Sequence, residues 1–143
     1  FLTHDTEDIP FSQVDYGGTW TDESSRDNLY NIKYTDSANS SIAFKYRGDY
    51  AIAYFEVGSN AGTYDAYVDG VQVASNVSLN SQGGGTYIYA LKLCPQGNTG
   101  ATKPISNMRG EHSVRIVLHT AGGSTAAGNR SMALTGIRQL KAD

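Results

Sequence analysis

Three histidines, one cysteine and 14 Asp or Glu residues are the groups in this 143-residue chain that could do chemistry. The histidines are His4, His112 and His119. The last two are seven positions apart, and on one strand an odd separation points them to opposite faces, so they cannot share a metal without a bulge. No G-x-S-x-G is present to raise a serine on a nucleophile elbow. The "GGG" at 83–85 lacks the Lys and Ser/Thr of a phosphate-binding loop, and no G-x-G-x-x-G opens a helix. Asp65 and Asp69 share a strand face with Asp49 near, a possible contribution to a structural calcium, but calcium wants six to eight oxygens and no motif supplies them. Asp22 and Glu23 would serve glycosidase chemistry only with partners at set separations. Cys94 is alone, so it forms no intrachain disulfide, and no neighbouring pattern marks it as a lowered-pKa thiol. The reading is of a non-enzymatic chain with no catalytic residues, no metal site and no cofactor.

Composition narrows the partners. The net charge is −3 and the pI near 5.5, with no basic stripe, which argues against nucleic acid. No apolar run reaches 18 residues, so no helical membrane span is expected. Sixteen glycines against three prolines predict many tight turns. The chain begins at Phe1 without Met or a signal peptide, which reads as a processed protein or a piece cut from a larger one, the second being the expectation.

The elements that would position any site have a period of two. "SSIAFKY" (40–46), "YAIAYFEV" (50–57), "TYDAYVD" (63–69), "TYIYALKL" (86–93), "HSVRIVLHT" (112–120) and "SMALTGIRQL" (131–140) read as strands. "QVDYGGTW" (13–20) and "NLYNIKYT" (28–35) precede them, and Asp69-Gly70 suits a type I′ hairpin turn. Residues 21–27 could hold a short helical turn. The expectation is an all-β fold: an antiparallel two-sheet β-sandwich of about eight or nine strands. Residues 1–12 form an N-terminal arm and 13–143 one domain. Its core would bury Ile42, Phe44, Ile52, Tyr54, Val68, Val71, Leu91, Val114, Ile116, Leu118 and Ile137. Each fully buried large side chain contributes ~1.5–3 kcal/mol.

"DYGGTW", "YTDSANSSIAFKYRGDYAIAYF", "YDAYVDGVQV" and "GEHSVRIVL" follow one another in an order that resembles the galactose-binding-like jelly-roll modules. Such modules occur as carbohydrate-binding modules, beside SGNH-type carbohydrate esterases and in phage tail proteins. The resemblance spans residues 13–140 and implies jelly-roll topology. One departure stands out: the connection before the Gly-x-His strand is often short in such modules, and here residues 94–110 make a long loop.

With strands alternating in direction from Trp20, one end of the sandwich collects 21–27, 47–49, 69–70 and 94–110. The other collects 35–40, 58–62, 80–85 and 121–130. The first end gathers charge and aromatics, which suits the C–H faces and hydroxyl fans of a sugar. The candidate ligand-binding residues are therefore Trp20, Arg26, Arg47, Asp49, Tyr50 and Asp69. Trp20 has two readings, a stacking platform or a rim anchor with its N–H on backbone. Tyr87 and Tyr89 share a face that is either core or an exposed strip. The function expected is a carbohydrate-binding accessory module, covalently linked to a catalytic or structural domain, that targets an extracellular or virion protein to a polysaccharide. The alternatives are a structural or oligomerisation domain of a phage tail or adhesin with no sugar ligand, and a fragment lending a loop to a catalytic domain.

Overall fold

A computed structural model describes residues 4–24, 30–80, 85–95, 110–123 and 126–142. In chain order the strands are β1 (His4–Asp8), β2 (Asp15–Gly17), β3 (Thr21–Ser24), β4 (Asn31–Thr35), β5 (Ser41–Arg47) and β6 (Tyr50–Val57). Then come β7 (Thr63–Val68), β8 (Val71–Ser78), β9 (Tyr87–Leu93), β10 (Glu111–Thr120) and β11 (Met132–Ala142). A single 3-10 turn, Phe11–Gln13, follows β1, and the described residues contain no α-helix.

The strands form two antiparallel sheets. The first, sheet A, runs β3-β4-β11-β6-β9, with β1 also on β11; the second, sheet B, runs β2-β5-β10-β7-β8. Between β4 and β11 the orders β4-β11-β6-β9 and β5-β10-β7-β8 are those of a jelly roll, two Greek keys wrapped across a sandwich. Seven of these eight, all but β8, coincide with stretches read as strands, and β8 follows the predicted Asp69-Gly70 turn. β1, β2 and β3 bring the total to eleven. Within the N-terminal arm, β1 pairs with β11 from His4↔Ala142 to Asp8↔Arg138.

The stretch 13–20 does not make one strand. β2 ends at Gly17 in sheet B, the chain turns, and β3 starts at Thr21 in sheet A. Gly18 makes the turn at φ +85, where a Cβ would also run into Ser40. Residues 21–24, expected in a loop or helical turn, are a strand paired with β4. This extra crossing moves Trp20 to the end that holds 35–40, while the later turns keep the ends expected for them: Gly48 N donates to Gly110 O at one end, and Asn39 N to Leu118 O and Asn60 N to Asn129 Oδ1 at the other. Asp69 and Gly70, at φ 53 and 80, supply the two positive φ angles of the predicted type I′ turn.

The core forms where inward positions of both sheets meet. It includes Ile42, Phe44 and Tyr46 of β5, Tyr64, Ala66 and Val68 of β7, Val114, Ile116 and Leu118 of β10, and Met132, Leu134 and Ile137 of β11. On β6 the inward set is Ala51, Ala53, Phe55 and Val57. Ile52 and Tyr54, expected inside, point outward and are half-buried. Both phases of "YAIAYFEV" are apolar, so alternation alone leaves the choice of face open. Val71 is 43% exposed rather than core, because it sits beside the hairpin turn on the edge strand β8.

Candidate functional site

β11 has 11 residues, more than either strand on its outer flank. β4 pairs with its first residues, Met132 to Leu134, and β1 with its last, Arg138 to Ala142. Thr135 to Ile137 therefore face a gap between two strand ends. β11 also shifts register against β6 between Leu134 and Gly136. A bulge of this kind leaves a residue unpaired and bends the strand, and bulges are frequent beside functional sites. The Thr135 hydroxyl donates to Tyr54 O at 3.0 Å, and Ile9 N donates to Ile137 O at 2.9 Å.

The gap opens as a groove of about 630 Å³ on the outer face of sheet A. Tyr54 and its cross-strand partner Gly136 share this outward-facing position. Phe11, Tyr30 and Ile88 supply apolar walls, and Asp8 and Arg138 lie at one rim. A Cβ on Gly136 would meet nothing within 4 Å, so this glycine leaves space rather than avoiding a clash. Tyr30 Oη donates to Glu56 Oε2 at 3.2 Å, and Glu56 is only 4% exposed. Arg138 Nε lies 3.3 Å from Asp8 Oδ1 in an exposed pair that adds polarity but little stability. The site thus offers aromatic and aliphatic surface beside a tyrosine–carboxylate hydrogen bond and an ion pair. Its lining includes no Ser, Cys or His, so it lacks the usual nucleophile–base partners of acyl transfer.

The structure divides the residues predicted from the sequence. Arg47, Asp49, Tyr50 and Asp69 do come together at one end, where the β5–β6 turn, the β7–β8 turn and the start of β10 meet. Trp20 does not join them. It lies at the opposite end, beside Gly17 and Ser40, and its Nε1 donates to Gly17 O at 2.9 Å. Its ring is 5.4 Å from that of Tyr16 and packs against the core. Burial, then the Asp22 charge, pushes the Tyr16 hydroxyl up to about 12. Trp20 therefore has the geometry of a rim anchor. Arg26 and residues 96–109 lie outside the described residues.

At the first end the polar groups are largely engaged within the protein. Asp69 Oδ2 is 2.7 Å from His112 Nδ1, and its Oδ1 accepts Ser113 N at 2.9 Å. Lys92 Nζ sits 4.3 Å from the centre of the Tyr50 ring. Arg47 N donates to Gln139 Oε1 at 2.8 Å. On β7, Asp65 accepts Asn76 N at 2.7 Å and lies 2.8 Å from His119 Nδ1. Burial tends to raise the pKa of Asp65, but the Asn76 N–H and His119 outweigh it and hold it below its ordinary value. With both carboxylates held by histidine and backbone, the set considered for calcium does not fit an all-oxygen site. No cluster of three or more His, Cys, Asp or Glu suited to a metal occurs among the described residues.

The opposite end carries a charge network centred on Arg130. Arg130 Nη2 lies 2.6 Å from Glu23 Oε1 and its Nη1 3.3 Å from Asp36 Oδ2. Its guanidinium also covers the Tyr34 ring at 3.9 Å, while Asp36 Oδ1 accepts Ser131 N at 2.8 Å. The hydrogen bond to Glu23 raises the Arg130 pKa against its burial, with further support from Tyr34 and Asp36. Glu23, expected at the binding end with 21–27, instead joins β3 to the start of β11 through Arg130.

Solved structures share this architecture. The carbohydrate-binding module CBM35 from Paenibacillus barcinonensis superposes with a TM-score of 0.55 at 16% identity, covering 97% of this chain and 99% of that one. The likeness shows the fold, a two-sheet β-sandwich. A family two carbohydrate esterase from Cellvibrio japonicus matches with a TM-score of 0.60 at 13% identity over 99% of this chain. A two-domain esterase active on acetylated mannans, co-crystallised with mannopentaose, matches at 0.65 and 14% identity over 95% of it. The chain spans 34% and 36% of those two esterases. No family model matches the sequence, and no curated protein does either.

Proposed function

We propose that this chain is a non-catalytic carbohydrate-binding module whose glycan site is the groove on sheet A. The observation that carries the reading is the juxtaposition of Tyr54 with Gly136 at the gap between β1 and β4. A sugar ring can place its C–H face on the Tyr54 side chain in the space that Gly136 leaves open. Its hydroxyls then meet the Tyr30–Glu56 pair and the Asp8–Arg138 rim. A preformed recess with a few polar groups in an apolar lining is the usual form of a small-ligand site. The likeness to carbohydrate-binding modules and to one part of each esterase supports the same reading. In the larger protein the module would hold a linked catalytic or structural domain on an extracellular polysaccharide. A site of this size binds weakly, and tethering multiplies its effect.

A glycan array probed with the purified chain, alongside Tyr54→Ala and Trp20→Ala, tests the proposal. Neutral glycans bound by the wild type should be lost with Tyr54→Ala and kept with Trp20→Ala. A second reading, a structural sandwich packed against a neighbouring domain, draws on Val71 and Tyr87, 43% and 50% exposed on the edge strands β8 and β9. An array silent for every glycan would favour it.

A further inference from the structure

The outer face of sheet B carries a recess of its own. Cross-strand pairing sets Asp15, Ala43, Arg115, Tyr67 and Gln72 in one row across its five strands. In the next row Lys45 stands opposite Ser113. Directly paired residues share a face, so these side chains form one surface. Ala43 and Ser113 are small and lie between longer neighbours. Two cavities, of about 250 and 340 Å³, meet over them. The first reaches Gln13, Asp15 and Lys45, and the second Tyr67, Gly70 and Arg115.

The charges around this recess are unevenly satisfied. Glu111 lies 3.8 Å from Lys45. Asp69 is held by His112 and Ser113 N, and Asp65 by His119 and Asn76 N. Asp15 is two strands from Arg115, with Ala43 between them, and no ion pair joins the two. Arg115 is thus a guanidinium at a cavity wall with no carboxylate partner among the described residues. Its neighbour across the strand is the aromatic ring of Tyr67. A planar fork of donors beside a ring face matches a ligand that is itself a ring bearing an anion.

We propose that this recess is a second glycan site, selective for sugars that carry an anionic group, carboxylate or sulfate ester. Arg115 takes the anion through paired N–H donors, Tyr67 packs against the ring, and Lys45 supplies a second cation over the floor of Ala43 and Ser113. The site rests on the carbohydrate-binding reading but uses the opposite sheet from the Tyr54 groove. One module would then hold two polysaccharide chains, one neutral and one acidic.

The test is affinity electrophoresis of the full chain in gels containing polygalacturonate, a sulfated galactan, or their carboxyl-reduced and desulfated counterparts. The wild type should be retarded by at least one acidic polymer and released by its neutral counterpart. Which polymer retards it distinguishes carboxylate from sulfate. Arg115→Ala should weaken that retardation by about tenfold or more, and Arg115→Lys should restore part of it. Gly136→Leu, which fills the other groove, should leave it unchanged. Thermal melting of each variant confirms folding, which an exposed position such as Arg115 should tolerate. No retardation by either acidic polymer would overturn the proposal. So would equal losses from Arg115→Ala and from Lys92→Ala, an exposed cation on the other sheet, since that is the mark of diffuse charge attraction. Loss of neutral-glycan binding with Arg115-dependent acidic binding intact would count against the Tyr54 groove alone.

Discussion

The Arg130 corner and the Tyr54 groove both lie along β11, and they use polar groups in opposite ways. At Arg130 the guanidinium is shared between Glu23, Asp36 and the Tyr34 ring, and its side chain is 14% exposed. At the groove, a bulge and two strand ends leave open space beside Gly136, with an aromatic side chain as its cross-strand partner. The first arrangement closes the sandwich and the second leaves a place for something else. Dense charge and open space thus fall at different places along β11.

Substitutions can break that contrast. The largest effect is expected from Arg130→Ala, which removes the shared cation from two half-buried carboxylates and should cost about 2–3 kcal/mol in urea unfolding. The fraction that remains folded should bind glycan as the wild type does; a binding loss in that fraction would place Arg130 in the site. Next, Tyr54→Ala should weaken neutral-glycan binding by about thirtyfold, as loss of an aromatic anchor does, while unfolding stays cooperative. Titration calorimetry on a glycan found by array reads this directly. Smaller again, Arg47→Ala and Asp49→Ala should each change that affinity by less than about threefold. A larger loss would return the site to the β5–β6 turn.

The smallest effect concerns pH. Because Asp65 is held below its ordinary pKa in the folded chain, it adds stability above about pH 4, the unfolded carboxylate value. That contribution disappears as pH falls through the lower folded value. Asp65→Asn should therefore narrow the gap between urea midpoints at pH 7 and pH 3. An unchanged gap would show that the Asn76 and His119 bonds carry no pH-linked stability.

Much of the fold was legible in the residues. Alternation placed β5, β6, β7, β9, β10 and β11 within one or two positions, and Asp69-Gly70 gave its turn type from φ preferences alone. The His112/His119 spacing correctly put one ring inside and one outside. What was not legible depends on long-range pairing. Nothing local in "DYGGTW" says that the chain changes sheets at Gly18, and that one crossing moved Trp20 to the other end. "YAIAYFEV" is apolar in both phases, so Tyr54 read as core. The gap beside Thr135 to Ile137 exists only because β1 and β4 divide the flank of β11 between them. Residues 1–8 and 31–35 carry no sign of that shared partner. The groove could have been suspected from one signal, the glycine at 136 inside an otherwise regular strand, since such a glycine often marks a bulge.

Amide chemical-shift mapping of the labelled chain, titrated with a neutral oligosaccharide chosen from the array, tests the central claim most directly. The account predicts shifts concentrated at Tyr30, Tyr54, Ile88, Thr135 and Gly136, with Gly136→Leu abolishing them. Shifts centred instead on Arg47, Asp49, Tyr50 and Asp69, with the Gly136→Leu chain responding as the wild type does, would contradict it.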